Sequence, residues 1–380
     1  MKILINFSTL KKGGGQNVAL NFLHGLFEIN NGKNEYFFLV VKDSEIHKFI
    51  KKRKQRNILI TSLSPFKRIY QEYFKYPSIF KKHKIDIIYT YFGYGLFRGK
   101  VPQVCGIAVS NVFFPEIKFW QGGLLNVFIR KMVDKYRIYG IKKASALIFE
   151  NKTMEERCHL LYHIPERRTK FIPPSFNPDF EQEKIVLPEL KHNTIKLLML
   201  CGWQLNKNIL RVPEIAYNLK KYNHAFQFII TAPNDNSKIQ QEFLQLTKKF
   251  NVKEMISIIG PVKKQQLESL YVQIDFVLLM SKLESFSNNI IEAWYFKKPL
   301  VVSDEEWARG ICKNAAFYIN RESPENIAES IHNLQSKLKL KNILIEEGIS
   351  QLKYYPSIIE KTKQEIAFLE QIYNDNKSIS

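Results

Sequence analysis

Glu284 and Glu292 are the residues of this chain whose types and spacing come closest to describing a site. They are separated by seven residues in FVLLMSKLESFSNNIIEAWYFKKPLVVSD, which reads as a buried strand, a short polar loop and the start of a helix. Glu284 follows the strand, Phe286, Ser287, Asn288 and Asn289 occupy the loop, and Glu292 falls in the first turns of the helix. A loop that leads into a helix offers unpaired backbone N–H groups, which suit a phosphate. A carboxylate accepts two hydrogen bonds, which suits a vicinal diol. The spacing by itself carries little, because a chain rich in glutamate holds such pairs by chance. The plainer alternative is that Glu292 only favours a helix N-terminus through its charge.

Two other junctions of the same kind could meet an anion. In LKKGGGQNVAL, Gly13, Gly14 and Gly15 precede a helix starting near Gln16. Glycines there let backbone amides approach a negative group at the positive end of the helix. The run is not a P-loop, since no Gly-Lys-Ser/Thr follows, and not a full dinucleotide fingerprint, since Val18 stands where the third glycine belongs. With Asp43 ending the second strand, a nicotinamide-dinucleotide site stays open beside a phosphate or sugar contact and a plain tight turn. In LCGWQLNKN, Gly202 and Lys207 occupy the other junction. A lysine there reaches a phosphate as a flexible point charge, or is merely solvated.

The elements that must position these residues alternate along the chain. KILINFS, YFFLVVK, NILITSL, DIIYTY, QVCGIAV, ALIFEN and KFIPPS read as strands in the first half, and IKLLMLCG, FQFIITA, ISIIG, FVLLMS, PLVVSD and AAFYIN in the second. Helical patterns separate them, which predicts parallel βαβ units rather than a sandwich or a bundle. The expectation is α/β architecture in two doubly wound, Rossmann-like domains, over 1–180 and 190–350. The aperiodic segment Phe176 to Asn193, with Pro178 and Pro188, is the expected linker. Ile358, Ile359, Ile366, Leu369 and Ile372 predict an amphipathic helix within 357–380 that must dock, crossing back onto the first domain.

Composition supports a globular reading. Of 380 residues, 45% are hydrophobic and 24% charged, with 16 Gly and 15 Pro, which excludes low-complexity, collagen-like and disulfide-scaffold classes. Cys105, Cys158, Cys201 and Cys312 form no Cys-x-x-Cys pair and are expected to be reduced, mostly buried thiols in a cytoplasmic protein. MKILINFSTLKK reads as a first strand rather than a secretory segment, and the longest uncharged run, Val101 to Pro115, is interrupted by Pro and Gly. The net charge of +21 is one-sided: residues 1–180 hold 31 Lys/Arg against 13 Asp/Glu, the remainder 26 against 23. Such a half suits phosphorylated lipid, an anionic bilayer or nucleic acid, or is simply a solvated lysine-rich surface.

From Gly260 to Ile331 the sequence resembles the donor half of family 4 of the GT-B glycosyltransferases, also called glycosyl transferases group 1. The resemblance rests on Gly260, Leu270-Tyr271, Asp275, Ser281, the Glu284 to Glu292 pair, Pro299 with Val301 and Val302, Ala315-Ala316 and Pro324-Glu325. It extends more loosely to the Gly-rich first turn (Gly14, Gly15, Gln16) and to the Gly202 to Lys207 loop. It implies two Rossmann-like domains with a cleft between them, the second holding a nucleoside-diphosphate sugar and the first a glycan or lipid-linked acceptor. It further implies that Glu292 holds the ribose diol and Glu284 the sugar hydroxyls near the reacting carbon. Lys207 and the amides of Phe286 to Asn289 would then stabilise charge on the leaving diphosphate. Transfer with retention, no cofactor and no metal are also implied, and the chain has no Asp-x-Asp motif. The expected setting is cell-surface polysaccharide or lipopolysaccharide synthesis by a cytoplasmic protein; peripheral seating at the inner face of the membrane is a separate expectation, resting on the basic first half of the chain.

Two departures from that pattern stand out. Trp203 occupies the usual place of an Arg after Gly202, so Lys207 must do more, or Arg309 substitutes. Ser110 and Asn111 stand where many members carry a His, and neither is a general base. Read alone, these departures fit a non-catalytic basic module for nucleic acid or anionic membrane, although no nucleic-acid partner is expected for a transferase. Cys158, His159 and His163 lack a further ligand set for a metal, and no Gly-x-Ser-x-Gly run is present. Phe128, Met132, Val133 and Tyr136 recur at helical spacing among basic residues, a pattern read here as a core face in preference to a membrane-seating one.

Overall fold

The computed structural model describes residues 1–10, 14–30, 32–61, 70–95, 101–118, 124–177, 183–187, 193–222 and 224–378. The chain forms two compact units. One is Met1–Pro115, Gly122–Asn177 and Pro356–Ser380; the other is Glu116–Gln121 and Pro178–Tyr355.

The first unit holds β1 (Lys2–Asn6), β2 (Glu35–Val41), β3 (Ile58–Thr61), β4 (Ile87–Thr90), β5 (Gln103–Ile107), β6 (Ala146–Phe149) and β7 (Thr169–Phe171). They form one parallel sheet in the order β3-β2-β1-β4-β5-β6-β7. The second unit holds β8 (Ile195–Met199), β9 (Phe226–Ile230), β10 (Ile256–Ile258), β11 (Phe276–Leu279), β12 (Leu300–Ser303) and β13 (Phe317–Ile319). Their order is β10-β9-β8-β11-β12-β13, again parallel throughout. Every strand expected from the sequence is present. Strands covered by helices on both faces must be apolar at nearly every position, which is why runs such as YFFLVV were legible.

In both sheets the order reverses beside the first strand, between β1 and β4 and between β8 and β11. Loops leaving the carboxyl ends of strands diverge at such a point and leave a crevice.

The helix Ile358–Lys377 belongs to the first unit, where Ile366, Phe368, Leu369 and Ile372 share a core with Ile3, Phe22 and Leu23. Its approach to the helix Gly14–Ile29 is close enough that a Cβ at Gly25 would lie 2.3 Å from Thr362 Oγ1. The docked face also buries charge. Lys361 Nζ lies 2.7 Å from Glu365, 3.1 Å from Glu150 and 3.4 Å from the Tyr91 hydroxyl, and the Tyr89 hydroxyl donates to Glu365. Burial alone would lower the Lys361 ammonium, but Glu365, Tyr91 and Glu150 together hold it well above its ordinary value.

In the second unit the helices Val212–Leu219 and Pro324–Ser336 place Ile215, Leu219, Ile327 and Ile331 in one core with Leu197, Phe228 and Leu278. Within the expected linker, Glu183, Ile185 and Leu187 hydrogen-bond to Gln265, Ser269 and Gln273, so residues 183–187 lie along the helix Leu267–Val272. Pro178 and Pro188 are outside the described residues, as is Gly13.

The helix Leu124–Lys143 corrects the core-face expectation. Phe128 is 61% exposed, Met132 52% and Val133 39%; of the four spaced residues only Tyr136 turns inward, its hydroxyl donating to Glu72. Helical spacing establishes that residues share a face, not what that face meets. Among the described residues no helix is long and apolar enough to cross a membrane.

Candidate active site

The second unit assembles its site at the reversal between β8 and β11. The loop after β8 carries Gly202 and Lys207, and the loop after β11 carries Glu284 and runs to Ser287. The two loops are tied together twice: Lys282 N donates to Asn206 O at 2.7 Å, and Asn289 Nδ2 donates to Leu200 O at 2.8 Å. Lys207 Nζ is thereby set 2.6 Å from Glu284 Oε1, with both side chains mostly buried. Between these groups, burial pushes the Cys201 thiol up to about 11, Lys207 pulling it down and Glu284 pushing it further up.

The helix Asn288–Tyr295 begins after Ser287, whose backbone is extended and whose side chain makes no capping bond. Its first-turn amides therefore lack the intrahelical side-chain acceptor that a capped helix supplies, and they sit at the positive end of the helix dipole. Phe286 and Asn288 flank the turn; Asn289, having bonded Leu200, fixes its position. A Cβ at Gly202 would meet no atom within 4 Å, so no close approach in the structure requires a glycine there.

Glu292 lies one turn further along this helix and accepts a hydrogen bond from the Tyr271 hydroxyl at 3.1 Å. Burial pushes its carboxyl up to about 7, against the Tyr271 hydrogen bond and the Lys264 charge, both of which lower it. A cationic side chain, a row of amides and two carboxylates of different environment can thus bind a diphosphate and a polyhydroxylated group.

The family model described as glycosyl transferases group 1 matches residues 181–351, the stretch that contains this site. The match takes in β8 to β13 and leaves the first unit's strands outside it. With the two parallel-sheet units, the chain is a glycosyltransferase of GT-B type. The fold is shared along almost the whole length with solved structures. Sucrose-phosphate synthase from Thermosynechococcus elongatus is 13% identical with a TM-score of 0.73, covering 100% of both chains. Anabaena HepE, in complex with UDP and glucose, is 13% identical with a TM-score of 0.69, covering 98% of this chain and 100% of that one. WaaG, a glycosyltransferase involved in lipopolysaccharide biosynthesis, is 13% identical with a TM-score of 0.68, covering 97% and 99%. At such identities the likeness is one of fold. Among curated proteins, none matches the chain in sequence.

Within the second unit, not every expected residue joins this site. Arg309, the suggested substitute cation, is held by Asp304 and lies over the Tyr318 ring at 4.4 Å. Trp203 is a core residue, packed on Phe243 with its Nε1–H donated to the Pro233 carbonyl, so it sends nothing towards Lys207. In the first unit, Asn111 Nδ2 donates to Asp134 and its Oδ1 accepts from Arg137, which leaves its amide engaged within the fold. The Ser110 carbonyl accepts from the Phe113 and Phe114 amides. Gly14 is exposed, a Cβ at Gly15 would press on Leu10 at 3.1 Å, and Gln16 is buried at the start of the Gly14–Ile29 helix. Sequence reasoning assigned no role to Tyr271 or Lys264, although Tyr271 already stood out within the Leu270-Tyr271 pair.

Proposed function

We propose that the enzyme moves a sugar, with retention of configuration, from a nucleoside-diphosphate donor to a glycan or lipid-linked acceptor, in the building of cell-surface polysaccharide or lipopolysaccharide. The observation that carries this is the meeting of Lys207 and Glu284 beside the uncapped start of the Asn288–Tyr295 helix, with Glu292 in the same helix. In this reading Lys207 and the first-turn amides take the charge that grows on the diphosphate as the bond to the sugar breaks, and they do so in a fixed, partly dry setting. Glu292 accepts the ribose diol, and Glu284 accepts a sugar hydroxyl. A diphosphate competes with Glu284 for Lys207, so the ion pair loosens as donor binds. No metal or other cofactor has a part in the proposal, and with Asn111 engaged, none of the first-unit residues singled out is assigned as a side-chain base. The HepE complex with UDP and glucose, and the pathway of WaaG, support the donor class and the setting.

The test is a panel of UDP-, GDP-, ADP- and TDP-sugars screened by thermal unfolding, since a ligand bound only by the native state raises the melting temperature. One donor should stabilise the wild type, and Glu292→Ala should weaken its binding about 10- to 100-fold, equivalent to a charged hydrogen-bonded contact of about 1.5–3 kcal/mol. If no sugar nucleotide shifts the wild type, or if Glu292→Ala binds donor as before, the reading fails.

A further inference from the structure

The carboxyl of Glu292 is held from outside its own helix. Its Oε2 accepts the Tyr271 hydroxyl at 3.1 Å, whereas Oε1 bonds nothing among the described residues and is open to solvent. Tyr271 is fully buried, and its ring is fixed. It stacks on Phe296, with centroids 4.6 Å apart, and Phe296 follows Glu292 by four residues at the C-terminal cap of the same helix. The helix Leu267–Val272, which carries Tyr271, is too short to hold its shape alone, and the segment 183–187 straps it down. Ile185 N donates to Ser269 Oγ and Ser269 Oγ donates to Ile185 O, both at 3.1 Å, and Gln273 Nε2 donates to Ile185 O at 2.8 Å.

A buried tyrosine needs a partner for its hydroxyl, and any carbonyl would satisfy it. This hydroxyl instead meets a carboxylate, and that choice has chemical consequences. Burial and the Glu292 charge hold the phenol well above its ordinary value, so it remains a donor throughout the neutral range. A hydroxyl that donates to a carboxylate favours the charged form. Burial raises the Glu292 carboxyl; the groups on neighbouring elements that oppose it are Tyr271 and Lys264, the latter in the turn Lys264–Gln266 leading into the same short helix. A charged carboxylate gripped at one oxygen presents the other, with its lone pairs, to a pair of hydroxyls.

We propose that Tyr271 is a positioning residue for the donor: it holds one oxygen of Glu292 and so aims the other at the ribose diol. The inference rests on the reading of Glu292 as the diol acceptor and adds to it the group that makes Glu292 fit for that task.

The experiment is calorimetric titration of wild type, Tyr271→Phe, Glu292→Ala and the double variant with UDP, GDP and ADP at pH 7 and pH 9. Phe keeps the ring on Phe296 and removes only the hydroxyl. For the nucleotide that binds wild type, Tyr271→Phe should bind about fivefold more weakly at pH 7, where fewer molecules carry the charged carboxylate. The deficit should shrink to less than about twofold at pH 9, where the carboxyl ionises unaided, and that recovery also shows the variant to be folded. In the Glu292→Ala background, Tyr271→Phe should cost nothing further, because the hydroxyl acts only through that carboxylate. A deficit equal at both pH values, one that persists in the Glu292→Ala background, or none at all overturns the inference and leaves a tyrosine that merely packs. The reading it rests on fails differently: wild type then binds no nucleotide, or Glu292→Ala binds it unchanged, and the inference falls with it.

Discussion

The ammonium of Lys207 lies 2.6 Å from Glu284 Oε1, although 77 positions separate the two in the chain. The contact exists because β8 and β11 are neighbours, so that the loops leaving their carboxyl ends run side by side. A mostly buried ion pair is worth little in net stability but is costly to break from one side, because the remaining charge has lost its partner. In Lys207→Met, turnover should fall about 10²- to 10³-fold, the scale for one lost transition-state donor. Unfolding free energy should fall by about 1–3 kcal/mol, less than for a fully buried pair. Adding Glu284→Gln should restore stability without restoring turnover. Turnover of Lys207→Met equal to wild type would take this lysine out of the chemistry.

Glu292 gives the site a pH dependence. Its folded-state carboxyl is raised from 4.5 to about 7, so between those values the native protein holds a proton that the unfolded chain releases. Stability contributed by this group is therefore complete at the acidic end and is lost as pH rises through about 7. Glu292→Gln, which stays neutral, should exceed wild type in stability by roughly 1–3 kcal/mol above pH 7, with the difference vanishing towards pH 4.5. Donor affinity should run the other way in wild type, since the charged carboxylate is the better diol acceptor. Melting temperature and donor Kd, each measured across that range, check both signs.

Gly348 sets how closely the helix Leu338–Leu352 approaches the helix Asn288–Tyr295. A Cβ there would lie 2.4 Å from Trp294 Cδ1 and 2.8 Å from Cγ. The indole is buried, and its Nε1–H donates to Ala315 O at 3.0 Å, so it has little room to yield. Gly348→Ala should destabilise by about 1–3 kcal/mol, as overpacking does. Because Trp294 and Glu292 share one helix, donor affinity should also weaken, whereas an exposed control such as Glu346→Ala should change neither. Calorimetric unfolding and donor titration distinguish the two effects.

Lys361 neutralises carboxylates inside the first unit. Replacing it by Met leaves Glu365 buried without its cation and Glu150 without its neighbour. The expected loss is about 3–5 kcal/mol, the range for a one-sided break of a buried pair, and Glu365→Gln in the same chain should recover part of it. Faster amide exchange in Ile358–Lys377 would locate the loss at the C-terminal helix; unchanged stability would show that the charge network is not needed to dock it.

Much of this protein is legible in one dimension. Among the described residues the central strands follow from continuous apolar runs, because a parallel strand buried on both faces must be apolar at successive positions, whereas the edge strands β7 (Thr-Lys-Phe) and β10 (Ile-Ser-Ile) are less apolar and less buried. The Glu284 loop and the helix carrying Glu292 follow from a strand, a polar turn and a helix start in consecutive residues. These are local properties of the backbone, and the sequence states them directly.

What it leaves open is which partner each side chain meets. Trp203 sits beside the glycine of the site loop yet turns into the core, and Arg309 spends its charge on Asp304. Phe128 and Met132 have the spacing of a core face and lie in solvent, while Lys361 and Glu365 have the polarity of a surface and lie buried. Strand order decides these cases: it brings distant loops together and fixes which helix faces are covered, and neither is written in the period of a single element.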